Sequence, residues 1–372
     1  MGQVGRVGLV GMLCALFLPG LPDLRDLPDL RDLSGQQAPQ DPVSLAAGIT
    51  SAKDDVQLKA IADELNLFLV EPVVPRKRVG FVIEVRSNIS AEAIFSSGPL
   101  AIDLTRPVPP EVLTALRTAT RDENPRVGIE AMYAFGILAV QPSGAARQQL
   151  LRDSGPELTS FLGVADPAMR YTALRVIGRV FAHRASDRSA DPSVGDAVIG
   201  SLNDTDAAVR IVAMEALGAL REQRAVQGLA QLFEYHGRGD EGDAALDALA
   251  RIAHQSSAPV FTAALTSKSS VQRVIAIEGL ARLKDASALP AIQAAATRER
   301  NDAAALALAF ANAMIANGPI GPLIDAVSRP KLRDQAKGYL VDLAPQRHAE
   351  LEALRQQPEI ADVLALAKLR EQ

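Results

Sequence analysis

One phrase returns along the chain from about Asp122 towards its C-terminal end, and it limits the architecture more than any other feature. It reads Asp204-Thr-Asp-Ala-Ala-Val-Arg210, followed by Ala213, Ala216, Leu217, Gly218 and Leu220. Asp166-Pro-Ala-Met-Arg170 leads in the same way to Ala173, Ile177 and Gly178, and Asp122-Glu-Asn-Pro-Arg-Val127 to Ala131, Ala134 and Gly136. Aligning Gly136, Gly178, Gly218, Ala250, Ala281, Ala313 and Val341 gives steps of 42, 40, 32, 31, 32 and 28 residues. Such a period holds two helices of roughly three or four turns and two short connections.

Local spacing agrees with helices. Val209, Ala213, Ala216, Leu217 and Leu220 fall three or four apart and form one face. The Asp or Asn before each phrase suits an N-cap, whose side-chain oxygen satisfies an orphan backbone N–H. Pro125 and Pro167 fit a first turn, where no intrahelical N–H is needed. A second helix follows each phrase: Ala225–Tyr235 puts Val226, Leu229, Leu232 and Phe233 on one side, and Ser287–Thr297 does so with Leu289, Ile292 and Ala295. Ala131, Ala173, Ala213, Ala245, Ala276 and Ala336 recur at one register, so neighbouring helices can approach closely. Each hairpin lacks cover for its own apolar stripe, and stacking supplies it. The expected fold is all-α, an α-solenoid of about six to seven hairpins.

These residues carry a family resemblance. The pattern Asp-x-x-x-(Val/Met)-Arg-x-x-Ala-x-x-Ala-(Leu/Ile)-Gly resembles the HEAT repeat, most closely the short bacterial type called lyase-like HEAT repeats. It extends over roughly Pro109–Gln357 and is strongest from Asp122 to Leu283. Ser269-Ser-Val-Gln272 departs from it by lacking both the Asp and the Arg. Asn301–Ala313 is nearly all Ala and Leu, and Lys331-Leu-Arg333 keeps only the second half. The resemblance implies an armadillo-like superhelix with inner and outer helix layers. It also implies protein or cofactor binding far more often than catalysis.

Three regions are expected: residues 1–42, 43–108 and 109–372. In the first, Val7–Leu18 is an apolar run ended by Pro19 and Gly20, too short to span ~30 Å of hydrocarbon but of signal-peptide length. Export to the periplasm or cell envelope follows; the alternatives are an uncleaved N-terminal anchor, or a cytoplasmic protein with a misassigned start. The hexapeptide Leu-Pro-Asp-Leu-Arg-Asp occurs twice over Leu21–Asp32, and its prolines prevent a stable helix, so it reads as a low-complexity linker. Asp54–Leu69 resembles a degenerate first unit. Val79–Val85 has strand propensity, yet a solenoid offers it no sheet partner, so helix is expected over most of Lys77–Phe95. Ser96–Pro99 and Arg106–Pro110 mark a loop.

Composition removes several function classes. A net charge of −5 with both signs scattered lacks the basic footprint of a nucleic-acid binder. Arg76-Lys-Arg78 reads as a solvated turn, and the absence of Trp argues against base-stacking or sugar-binding platforms. Cys14 is the sole cysteine, which excludes an internal disulfide and a thiolate zinc site. His183, His236, His254 and His348 are unpaired with Glu, and Asp187, Asp191 and Asp196 fit no calcium loop. No G-x-S-x-G motif or phosphate-cradling glycine loop occurs. No catalytic, metal or cofactor site is therefore expected, and no nucleic-acid partner.

Two classes remain: a non-catalytic scaffold for a protein partner, and a lyase-like accessory protein that binds a small ligand in its groove. Scattered acids and bases favour the scaffold. Its partner surface is expected on the exposed side of the second helices, at Gln227, Gln231, Glu234 and Tyr235, with Gln293 in the matching place further on. Tyr235 is the expected anchor, because aromatic side chains concentrate interface energy.

Overall fold

The computed structural model describes residues 41–69, 91–96, 107–184, 192–296 and 302–371, and all regular secondary structure among them is helical. The apolar N-terminal run, Cys14, the hexapeptides, Arg76–Arg78, Val79–Val85, Asp187 and Asp191 lie outside the described residues. Of the helix expected over Lys77–Phe95, only the end is described, as part of Ala91–Ser96.

The described residues fall into two units divided between Leu150 and Leu151, inside the array expected from residue 109. The first contains α1 (Pro42–Ser51), α2 (Asp55–Leu69), α3 (Ala91–Ser96), α4 (Pro110–Ala119) and α5 (Pro125–Leu138). Asp41 starts α1 by accepting the Val43 N–H at 2.9 Å. Helix α1 packs on α2 and α4, and α3 packs on α5. Ile49, Ile61, Val112, Leu116 and Phe135 are buried between them, and the Phe95 and Tyr133 rings meet at 5.1 Å. Helix α6 (Gly144–Ser160) runs across the division and continues through Pro156. The long step before Gly178 is therefore taken up by a long helix and the Phe161–Gly163 turn.

The second unit continues with α7 (Pro167–Val180), α8 (Pro192–Gly200), α9 (Ala207–Leu220), α10 (Val226–His236), α11 (Asp240–Ile252) and α12 (Ala258–Ala264). Then come α13 (Ser270–Leu283), α14 (Leu289–Ala296), α15 (Asp302–Ala316), α16 (Gly321–Ala326), α17 (Arg333–Glu352) and α18 (Pro358–Glu371). The first helices α7, α9, α11, α13, α15 and α17 stack in that order. Each second helix packs on the first helix that follows it: α10 on α11, α12 on α13, α14 on α15, α16 on α17. The tight hairpin thus runs from a second helix into the next phrase, whereas the sequence reading paired each phrase with the helix after it. This is an all-α solenoid.

Small residues create the stack. Ala131, Ala173, Ala213, Ala245, Ala276 and Ala336 are all 0% exposed. A Cβ on Gly178 would lie 3.2 Å from the Ala216 Cα, and one on Gly218 would lie 3.1 Å from the Ala248 Cα. Backbones this close leave no room for a longer side chain at the crossing.

The phrase has further work at its two ends. The cap is Asn124, Asp166 or Asp206, each accepting an N–H two residues on. Asp122 and Asp204 sit one step further out: their Oδ1 atoms accept the N–H of Asn124 at 2.8 Å and of Asp206 at 2.9 Å. The phrase arginine joins units. Arg170 pairs with Asp204 at 2.7 Å and donates to the carbonyls of Val164 and Ala165. Arg210 pairs with Glu241 at 2.6 Å and donates to the carbonyl of Asp204. The phrase at Ser269 was expected to lack this arginine, but Arg273 holds the place and donates to the Ser267 carbonyl. Its N-cap, Ser269, replaces the aspartate. Helices α9, α11 and α13 end on left-handed Arg221, Ala253 and Lys284, with φ of 53°, 53° and 56°.

Ala213→Asp would put an unpaired carboxylate at a closed helix crossing. It is expected to lower stability by roughly 3–5 kcal/mol. Gln223→Ala, at an exposed site, should change little. Matching urea-unfolding midpoints for the two variants would contradict the place of Ala213 in the core.

Candidate functional site

Helix α10 presents the polar row expected from the sequence. Val226 and Leu229 are buried, Leu232 and Phe233 half-buried, and Gln227, Gln231, Glu234 and Tyr235 exposed. Tyr235 is 85% exposed, with its ring edge-on to His236 at 5.0 Å. Gln227 also borders an open recess of about 480 Å³, together with Gln223, Arg224, His254 and Ser256. Gln293 is exposed on α14, two second helices further along, so it does not join the α10 cluster.

The first-helix layer carries a second set of groups that the sequence reading missed. Glu215, Asp247 and Glu278 follow one another at steps of 32 and 31 residues, and Arg251 and Arg282 stand four residues after the last two. Each acid can therefore meet its arginine on the same helix face. Arg251 Nε lies 2.6 Å from Asp247 Oδ2, and Arg282 Nη1 lies 3.4 Å from Glu278 Oε2. Arg251 keeps 43% side-chain exposure, whereas Asp247 beneath it keeps 8%. The clue in the sequence was charge at the repeat period, on the helix face opposite the apolar one.

Helix α15 is built largely from small residues, and side chains of α13 and α17 meet across it. Glu278 of α13 accepts a hydrogen bond from the Tyr339 hydroxyl of α17, and Gln335 Nε2 donates to that hydroxyl oxygen at 2.7 Å. Phe310 of α15 stacks on Tyr339 at 4.3 Å, with the Arg282 guanidinium 5.5 Å from its ring centre. Asp342 accepts from Arg282 at 3.0 Å and from Arg370 at 2.6 Å. Burial pushes the Glu278 carboxyl up, against the pull of Arg282 and Tyr339. Burial also raises the Tyr339 phenol well above 10.0, and the Glu278 charge adds to this. Asp342 is buried too, but the two arginines outweigh that and hold its carboxyl below the ordinary 3.8. Glu215 has no arginine four residues on, and loss of hydration raises its carboxyl.

The remaining polar residues have structural duties. His254 caps the turn before α12 by accepting the Ser256 N–H at 3.3 Å. His236 lies 3.3 Å from Glu241, and His348 lies 3.6 Å from Glu352. Asp196 is on α8 and pairs with Arg224 at 2.6 Å. Among the described residues no group of three or more His, Cys, Asp or Glu is disposed to hold a metal ion. No described helix is long and apolar enough to cross a membrane.

Residues 155–238, which include α7 to α10, match the family model for HEAT repeats. This segment is similar to HEAT repeats. The matched segment contains the Arg170–Asp204 link and all four candidate residues of α10. No curated protein sequence shows significant similarity to the chain. Among solved structures, it is similar to an engineered protein at 19% identity and a TM-score of 0.44, covering 88% of this chain and 81% of that one. The complex of CpcE and CpcF of phycocyanin lyase from Nostoc sp. PCC7120 has 15% identity and a TM-score of 0.41, covering 93% and 99%. A designed armadillo repeat protein has 14% identity and a TM-score of 0.39, covering 74% and 99%.

The raised Glu278 carboxyl has a sign that can be tested. An acid that binds its proton more tightly when folded contributes fully below its unfolded value, near 4.5, and loses that contribution as pH rises through the folded value. Asp342 works the other way: its contribution is present above 3.8 and is lost as pH falls. Glu278→Gln removes the first effect and leaves the second. Its melting temperature relative to the parent protein should rise between about pH 4 and pH 7. A difference that stays constant, or falls, across that range would show that burial does not raise the Glu278 carboxyl.

Proposed function

We propose that the chain is a non-catalytic HEAT-repeat scaffold that holds a protein partner in the cell envelope. The observation that carries this reading is the α10 face. An aromatic ring with 85% exposure stands beside exposed Gln231 and Glu234 on a helix fixed from behind by Val226 and Leu229. A rigid aromatic side chain surrounded by polar groups has the make-up of an interface anchor, since it loses little conformational freedom on binding. The envelope assignment rests on the apolar run Val7–Leu18 with its flanking Arg6, Pro19 and Gly20.

The test replaces Gln231, Glu234 and Tyr235 together by Ala and measures recovery of native partners by affinity purification. All three are exposed, so circular dichroism and the melting curve should not change. Partner recovery is expected to fall by about tenfold or more, as when an interface anchor is lost. Full recovery with an intact fold would remove α10 from the binding surface.

A further inference from the structure

Three of the turns that lead into second helices are closed in the same way. The turns Gln223–Ala225, Gln255–Ser257 and Ala286–Ala288 stand before α10, α12 and α14. Each is entered from a residue whose side chain accepts the backbone N–H two positions on. Glu222 accepts from Arg224 at 3.1 Å, His254 from Ser256 at 3.3 Å and Asp285 from Ser287 at 2.9 Å. The three capping residues follow one another at steps of 32 and 31 residues. Two are acids and one is a histidine. Hydrogen bonds from the Arg224 side chain hold the Glu222 carboxyl below its ordinary 4.5, and those from Ser287 hold the Asp285 carboxyl below 3.8. Both acids therefore remain charged acceptors in mild acid.

The histidine cap lacks that constancy. His254 accepts through Nδ1, which needs a free lone pair there, and Nδ1 also lies 2.7 Å from the Ser256 hydroxyl. A second proton on the ring occupies that lone pair, so Nδ1 can no longer accept the Ser256 N–H. The proton also sets a positive charge against the positive end of a helix. The side chain is exposed, so solvent reaches the ring. His236 and His348 are placed differently: each lies beside a glutamate that suits the charged ring, whereas His254 has no carboxylate partner among the described residues. Charged groups on the surrounding elements are Arg224 with Glu222 and Asp196 across the recess, and Arg251 with Asp247 on α11. Lys284 and Asp285 follow α13.

Little else holds this turn. Ser257, which lines the recess, is 1% exposed, and its hydroxyl has no hydrogen-bond partner among the described residues. Gln255 Nε2 donates to the Leu283 carbonyl at 3.3 Å, which ties the turn to the end of α13 and confines any loosening to the turn and α12. Helix α12 has seven residues against eleven in α10, so it depends more on its cap.

We propose that His254 is an acid-sensitive latch: the neutral imidazole closes the turn before α12, and protonation at Nδ1 releases that turn together with the wall of the recess opposite Gln227. The inference goes beyond the scaffold reading and stands without it, because it concerns the state of the recess and not what α10 binds.

Hydrogen exchange and melting temperature are compared at about pH 8 and about pH 5, on either side of the range in which histidine side chains change charge. The purified full chain is measured beside His254→Asp, which caps at both values, and His254→Ala, which caps at neither. The parent protein should match His254→Asp at the higher pH and His254→Ala at the lower. In acid its Ser257–Ala264 amides should exchange about fivefold faster than those of His254→Asp at the same pH, and at the higher pH the two should agree within about twofold. His236→Gln should keep the parent's response. The proposal is overturned if the parent and His254→Asp respond alike to acid, or if the parent already matches His254→Ala at the higher pH. Loss of the response in His236→Gln would also overturn it, by assigning the effect to the other end of α10.

Discussion

The close approach of successive first helices governs the rest of the second unit. Gly178 against Ala216, and Gly218 against Ala248, bring backbone to within about the contact distance of a single methyl group. Dispersion grows steeply as such surfaces close, so many small contacts replace the few large ones of an ordinary core. The same closeness sets the register between helices. The second helices then cover the apolar side of the following first helix, which is why the tight hairpin runs from α10 into α11 rather than from α9 into α10.

Polar chemistry follows from that register. Once the first helices are locked in phase, a charge placed at one position of each repeat becomes a row, as Glu215, Asp247 and Glu278 do. Arg170–Asp204 and Arg210–Glu241 tie one repeat to the next at the end of the layer where the phrases begin. Buried ion pairs of this kind add little net stability, because desolvation takes back most of the attraction. Their effect is to select one register, since a slip would leave Arg170 or Asp204 unpaired. Where α15 supplies small residues, α13 and α17 reach each other directly, and the polar groups become dense enough to raise the Glu278 carboxyl and lower that of Asp342.

The fold was legible because its signal was repeated. The alanines read as the helix contact are closed to solvent, and α10 has its apolar and polar sides where the spacing of Val226, Leu229, Gln227 and Gln231 placed them. Local errors came from treating the phrase as a rigid string. The phrase carries both Asp204 and Asp206 ahead of its helix, and the spacing did not say which of them caps it; Asp206 does. Arg273 was missed because Ser269 stands where the other copies have Asp, although its four-residue step to Arg273 equals that from Asp166 to Arg170. The left-handed ends at Arg221, Ala253 and Lys284 carry no glycine, so composition gave no sign of them. The Arg282–Asp342 contact joins residues 60 apart and depends on how far α13 and α17 lean together over α15, which no local spacing encodes.

The sign of one small substitution tests the stacking account most directly. Exchanging Gly for Ala inside a helix ordinarily stabilises it by roughly 0.5–1 kcal/mol, because Ala has the better helix propensity. Gly338 in α17 has nothing within 4 Å of where its Cβ would stand, so Gly338→Ala should raise the urea midpoint. At Gly218 the new methyl meets the Ala248 backbone at 3.1 Å, so Gly218→Ala should lower the midpoint despite the same gain in propensity. If both substitutions raise it, the first helices are not packed backbone to backbone and the account of the fold is wrong.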